Sequence, residues 1–223
     1  MNIDFLPDAV LLPSSFYQRD TVQVARDLLG AVLVRVHDGH VIAGIIAETE
    51  AYCGELDPAS HAYKRQTPRN KAMFGPVGHS YVYFTYGNHY CLNLVAKPEG
   101  QKAGGVLIRG LIPLCGIEHM RRNRGVHDLE RLTSGPGNVG KALQLTRDDN
   151  HIDVTKRGEL FVVRGVAVPD ADVLITPRIG ISKAQDKLWR FVIKEGKRQS
   201  IVVKRIAQEI MDEYADAFKK LAQ

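Results

Sequence analysis

An apolar, β-branched run that passes straight into two carboxylates constrains this chain more than any other feature. Val41-Ile42-Ala43-Gly44-Ile45-Ile46-Ala47 carries no charge and has the composition of a strand through a core. It continues directly into Glu48-Thr49-Glu50-Ala51-Tyr52. Strand alternation places Ile46, Glu48, Glu50 and Tyr52 on one face. Taking two carboxylates out of water is costly unless each is paired or hydrogen-bonded. Taken alone, the segment allows two outcomes: a strand that surfaces into solvent, or a strand that carries a working site.

The flanking sequence supplies the strand's partners. Asp20, with Gln23 three residues on, predicts a capped helix from Thr21 to about Leu29, stopped at Gly30. Strands are predicted over 31–37 and 41–52, joined at Asp38-Gly39, a strong hairpin signal. Residues 53–78 hold turn formers and basic groups and are expected to form a long loop with at most a helical turn. A second hairpin is expected over 79–96, turning near Gly87-Asn88. Further strands are predicted over 105–111, 159–168 and 188–193, and helices over 117–124 and 138–145. Ile206, Ile210, Tyr214, Phe218 and Leu221 recur at helical spacing, which predicts a C-terminal helix docked on the core. The sum is an antiparallel-rich mixture of strands with helices packed around it.

Composition narrows the class. With 223 residues, 44% of them hydrophobic, and no linker, repeat or composition break, one domain over residues 1–223 is expected. A net charge of +5 suits an anionic partner without identifying one. Cys53, Cys91 and Cys115 are odd in number and contain no C-x-x-C pair, so a disulfide framework is not expected. No signal peptide and no membrane-length apolar run is apparent, and an intracellular protein is expected.

Several constellations bear on chemistry. Tyr81, Tyr83, Tyr86 and Tyr90 crowd the second hairpin. Cross-strand packing explains Tyr81 first. It explains Tyr86 least, because a large ring at an exposed tip resembles the wedges that separate stacked bases. Lys64, Arg65, Arg69 and Lys71, with Arg121, Arg122 and Arg124, are candidates for phosphate contact, although most charge runs are solvated faces. Gly135-Pro136-Gly137-Asn138-Val139-Gly140 fits G-x-G-x-x-G, but no clear strand precedes it and a plain helix start explains it better. His79, His89 and Cys91 lack zinc-site spacing, and neither a metal nor another cofactor is expected. No G-x-S-x-G accompanies a serine nucleophile.

An ordered series of motifs carries a family resemblance. Glu48-Thr49-Glu50-Ala51-Tyr52 is followed by His61, Arg65-Gln66-Thr67-Pro68-Arg69-Asn70 and Met73-Phe74. Tyr81-Val82-Tyr83, Tyr86-Gly87, Asn93 and Val106-Leu107-Ile108-Arg109 follow in turn. The series resembles the alkyladenine (3-methyladenine, methylpurine) DNA glycosylase family, closely from about Ala31 to Leu145. It is looser through Pro177-Arg178-Ile179-Gly180 and Leu188-Trp189-Arg190-Phe191. The resemblance implies a single-domain α+β fold, a curved antiparallel sheet with surrounding helices and a protruding hairpin. It also implies excision of alkylated or deaminated purines from duplex DNA by a cofactor-free monomer.

By matching position, Glu50 resembles the base that activates water, and Arg109 resembles a residue that helps place it. Tyr52, His61 and Tyr83 resemble the walls that stack on an extruded base. Asn93 resembles the side chain that rejects the exocyclic amine of normal guanine, and Tyr86 the intercalating wedge. The implied location is the cytoplasm beside the nucleoid in a bacterium, or the nucleus in a eukaryote.

Two other classes compete. A damaged-DNA-binding module without chemistry would keep the tyrosines and basic groups but has no need of Glu50. A carbohydrate hydrolase would use Glu48 and Glu50 as an acid–base pair. Two acids so close in sequence rarely flank opposite faces of a sugar, and such an enzyme needs no tip tyrosine.

Overall fold

A computed structural model describes residues 9–85 and 89–203. Its first regular helix of any length, α2 (Thr21–Asp27), follows the short α1 (Ser14–Tyr17). The Asp20 carboxylate caps α2 by accepting from the Val22 and Gln23 N–H groups at 2.9 and 3.0 Å. The chain leaves α2 through Gly30, whose φ of 87° places it in the left-handed region. A Cβ there would lie 2.0 Å from the Val166 carbonyl oxygen, so only glycine fits. Strands β1 (Val32–His37) and β2 (His40–Tyr52) follow. Asp38 and Gly39 both have positive φ, the backbone of the tight two-residue turn expected of this pair.

β2 is the axis of the molecule. One edge pairs along its length with β5 (Gly105–Cys115). The other edge pairs with β1 as far as Ile45 and with β8 (Arg190–Ile193) from Glu48 to Glu50. The sheet therefore splays between Ile45 and Glu48, where β2 and β5 also lose strict register. β3 (Ser80–Thr85) and β4 (His89–Leu94) extend it beyond β5, and β6 (Leu160–Val163) extends it beyond β1. β7 (Val173–Thr176) pairs with β8. All of these pairings are antiparallel. This curled sheet, with α2, α3 (Ile117–Arg124) and α4 (Pro136–Ala142) against it, is an α+β fold.

Thr49 faces α2 and donates its hydroxyl to the Ala25 carbonyl at 2.7 Å, which fixes the opposite face for Glu48 and Glu50. The main core lies between the sheet and the helices. A smaller cluster of Ala62, Ala72, Met73, Tyr81, Val95 and Ala103 packs beside Tyr52, Phe74 and Tyr83.

Departures from expectation have local causes. The strand predicted over 159–168 ends at Val163, because Gly165 and Val166 turn to cross Gly30. β5 runs four residues past Leu111, carried by its pairing with the first half of β2. β7 is too short to show a period. Glycines of the G-x-G-x-x-G stretch serve packing: a Cβ on Gly140 would lie 1.9 Å from the Tyr90 carbonyl oxygen, so α4 sits directly on β4. The hairpin tip with Tyr86, and the apolar stripe from Ile206 onward, lie outside the described residues. Among the described residues no helix is long and apolar enough to cross a membrane.

Candidate active site

A β-bulge assembles the charged part of the site. Leu107 pairs with Glu50 and Ile108 with Thr49, but the next partner of β2, Glu48, pairs with Gly110. Arg109 is thus the extra residue on β5, and a bulge of this kind re-aims the side chain it carries. A Cβ on Gly110 would lie 3.2 Å from that of Glu48, so glycine leaves the space that the carboxylate uses.

Glu48 and Glu50 point to the same side, as alternation requires, and Arg109 meets both. Its Nε donates to Glu48 Oε1 at 2.8 Å and lies 3.4 Å from Glu50 Oε1. Arg190 Nε reaches the same Glu48 oxygen at 2.7 Å. Burial would raise the Glu48 pKa, but the two guanidinium groups outweigh it and hold the carboxyl below its ordinary value. Burial would likewise lower the Arg109 pKa, and the charges of Glu50 and Glu48 reverse that. Glu50 is 0% exposed. Its Oε2 accepts from the Tyr52 hydroxyl and its Oε1 from the Ile179 N–H, both at 2.8 Å.

Beside this cluster lies a cavity of about 380 Å³, toward the small end of the range for small-molecule sites. Tyr52, His61, Tyr83, Asn93 and Arg109 all line it. The His61 ring stands edge-on to Tyr83, with centroids 4.7 Å apart. Its Nδ1 lies 3.1 Å from the hydroxyl of Tyr81. Desolvation and then the nearby Arg69 charge lower the His61 pKa, favouring the neutral ring. Desolvation raises the Tyr83 pKa well above its usual value and that of Tyr81 to about 12, so both phenols stay protonated. Asn93 is buried, and its amide donates to the Tyr81 carbonyl across the hairpin at 3.2 Å.

The methylpurine-DNA glycosylase (MPG) profile matches residues 15–197. The chain belongs to this family. A relative from Carboxydothermus hydrogenoformans is 45% identical over 188 residues, spanning 84% of this chain and 97% of its own length. Others from Burkholderia cenocepacia and Methanoculleus marisnigri are 43% and 45% identical and span 88% and 82% of this chain, and 94% and 95% of their own lengths. Each bears the name "Putative 3-methyladenine DNA glycosylase".

The structure of this family member places five of the seven residues singled out from the sequence in the lining of one cavity, with Glu50 behind it in contact with Tyr52 and Arg109; the seventh, Tyr86, lies outside the described residues. It also brings in residues that sequence reasoning left without a role. Arg178 and Asp57 form a two-pronged buried ion pair, with Arg178 Nη2 to Asp57 Oδ1 at 2.9 Å. The Arg178 guanidinium lies 4.7 Å from the Tyr52 ring centroid and 5.0 Å from that of Trp189. Lys183 joins the cavity lining. The only local hint of these roles was a pair of arginines, Arg178 and Arg190, beside short apolar runs. Among the described residues, no group of three or more His, Cys, Asp or Glu could hold a metal.

Proposed function

We propose that the protein is a monofunctional DNA glycosylase of base excision repair. It hydrolyses the N-glycosidic bond of alkylated or deaminated purines turned out of duplex DNA, with water activated by Glu50. One observation carries this: a wholly buried carboxylate, held by two hydrogen-bond donors and an arginine, lies immediately behind an aromatic cavity. Family membership supports the DNA glycosylase class, and the names of the relatives support 3-methyladenine among the substrates.

A base stacked inside a duplex exposes no face of its sugar bond to attack, so the nucleotide is extruded and its base enters the cavity. The rings of Tyr52, His61 and Tyr83 stack on it, an arrangement that favours electron-poor and cationic alkylpurines. Asn93, in the cavity lining, rejects the exocyclic amine of normal guanine. Tyr86 fills the gap left in the stack. Departure of the base leaves an oxocarbenium-like sugar. The Glu50 carboxylate offsets that charge and takes a proton from the attacking water, while Arg109 orients the carboxylate. The whole chain acts as one domain, as a monomer, in the compartment that holds the DNA.

The binding-module alternative leaves Glu50 without a purpose, since burying an acid is costly and an apolar residue would serve better. The sugar-hydrolase alternative requires two acids on opposite sides of a substrate. Here both converge on the single Nε of Arg109. The test is base release from a panel of duplexes, each carrying one modified purine. Release by wild type and none by Glu50→Gln, with lesion affinity kept, is the expected result. Binding without release by wild type would establish the module instead.

A further inference from the structure

Three residues hold Glu50, Tyr52 and Ile179 by hydrogen bonds and Arg109 by its charge, with Nε 3.4 Å away; all three line the cavity, whereas Glu50 itself does not. The carboxylate is therefore screened from the cavity by its own partners. These partners differ in kind. Ile179 offers a backbone N–H and Arg109 a guanidinium, neither of which accepts a hydrogen bond there. The Tyr52 phenol is the one group of the three that both donates and accepts, so it can donate to Glu50 and accept from a water at once.

Its placement is firmly built. Glu50 and Tyr52 are two apart on β2 and share a face, which brings the hydroxyl to 2.8 Å from Oε2. The ring lies beneath Arg178, itself fixed by Asp57 and by the Ala51 carbonyl at 2.8 Å. Arg178 immediately precedes Ile179, so one buried ion pair anchors both hydrogen-bond donors. Desolvation, and then the Glu50 charge, push the Tyr52 pKa far above its usual value, which keeps the phenol a neutral donor.

We infer that the Tyr52 hydroxyl is a positioning group for the water-activating step, separate from the stacking done by the Tyr52 ring. It fixes the carboxylate on the cavity side. The inference rests on Glu50 as the activating base. Other charged or titratable groups facing that carboxylate are Glu48 on its own strand, Arg109 on β5, Arg190 on β8, Arg178 beside Ile179, and Tyr83 on β3. Tyr52→Phe leaves them all in place and deletes one oxygen.

The experiment is single-turnover base release at saturating enzyme, with lesion-duplex affinity measured in parallel, for wild type, Tyr52→Phe, Tyr52→Leu and Glu50→Gln. The Tyr52→Phe rate should fall roughly tenfold to a hundredfold, the scale of one charge-assisted bond. Its affinity should stay within about threefold, because the ring remains; Tyr52→Leu should lose affinity as well. An unchanged single-turnover rate in Tyr52→Phe, while Glu50→Gln is inactive, overturns the positioning role and leaves the ring as a wall only. Unimpaired release by Glu50→Gln would instead remove the base assignment on which the inference stands.

Discussion

Arg35 and Asp149 form a buried pair away from the cavity, whereas Glu48, Glu50 and Arg109, also buried, form a cluster beside it with the half-buried Arg190. In the first, Arg35 Nη1 meets Asp149 Oδ1 at 2.7 Å, with each side chain 3% exposed. The second Asp149 oxygen accepts from the Thr146 N–H, so the acid is satisfied by β1 and by its own capping turn. Neither partner borders the cavity. In the cluster, two acids contend for one arginine nitrogen, and a second arginine crowds the same glutamate oxygen. Burial of charge is common to both regions, so burial alone does not mark a site. Arg35 Nη1 also lies 3.8 Å from Glu159, so a shared arginine nitrogen does not mark a site either; a position against an empty space is what sets the cluster apart.

Replacing Glu50 is the most severe way to sharpen that contrast. Glu50→Gln keeps the shape of the side chain and is expected to lower base release by about 10²–10⁴-fold, the usual reach of a general base. Measured by urea unfolding, its stability should change far less than its rate. Asp149→Asn should do the reverse. It takes the near partner from the buried Arg35 charge and leaves only the exposed Glu159, 3.8 Å away, a loss of roughly 3–5 kcal/mol. Unfolding should therefore shift to markedly lower urea, while base release per folded molecule at low temperature stays within about twofold. If Asp149→Asn abolished release in folded protein, the division between supporting pair and working cluster would break.

How much of this was legible beforehand follows from the range of each signal. The capped start of α2 at Asp20, the Asp38-Gly39 turn and the alternation along β2 are written within a few residues, and all three appear in the structure. The shared face of Glu48 and Glu50 follows from alternation alone. Arg109 is different. Its side chain reaches both acids only because the β2–β5 register slips beside it, and register belongs to two strands at once. The family resemblance singled it out where local pattern gave no reason to. Asp57 and Arg178 meet across 121 positions of sequence, and nothing near either forecasts the other. The Ile179 donor is a backbone N–H, which no residue type advertises. Much of the framework was thus readable locally, while the supports of the site were set by tertiary closure.

Glu48 tests the cluster from within, with the smallest effect. It does not line the cavity, and its Oε1 joins Arg109 to Arg190. Because its pKa is depressed in the folded protein, its contribution to stability is present above the ordinary carboxylate range. That contribution is lost as pH falls through the lowered value. Glu48→Gln removes the titration, so its stability should decline less steeply than wild type's between about pH 5 and pH 3. Urea unfolding at a series of pH values reads this directly. Base release should fall by about tenfold, through a less firmly held Arg109 rather than through loss of the base. Parallel acid slopes for the two proteins would mean that the guanidinium groups do not stabilise an ionised Glu48. In that case the cluster would rest on Glu50 and Arg109 alone.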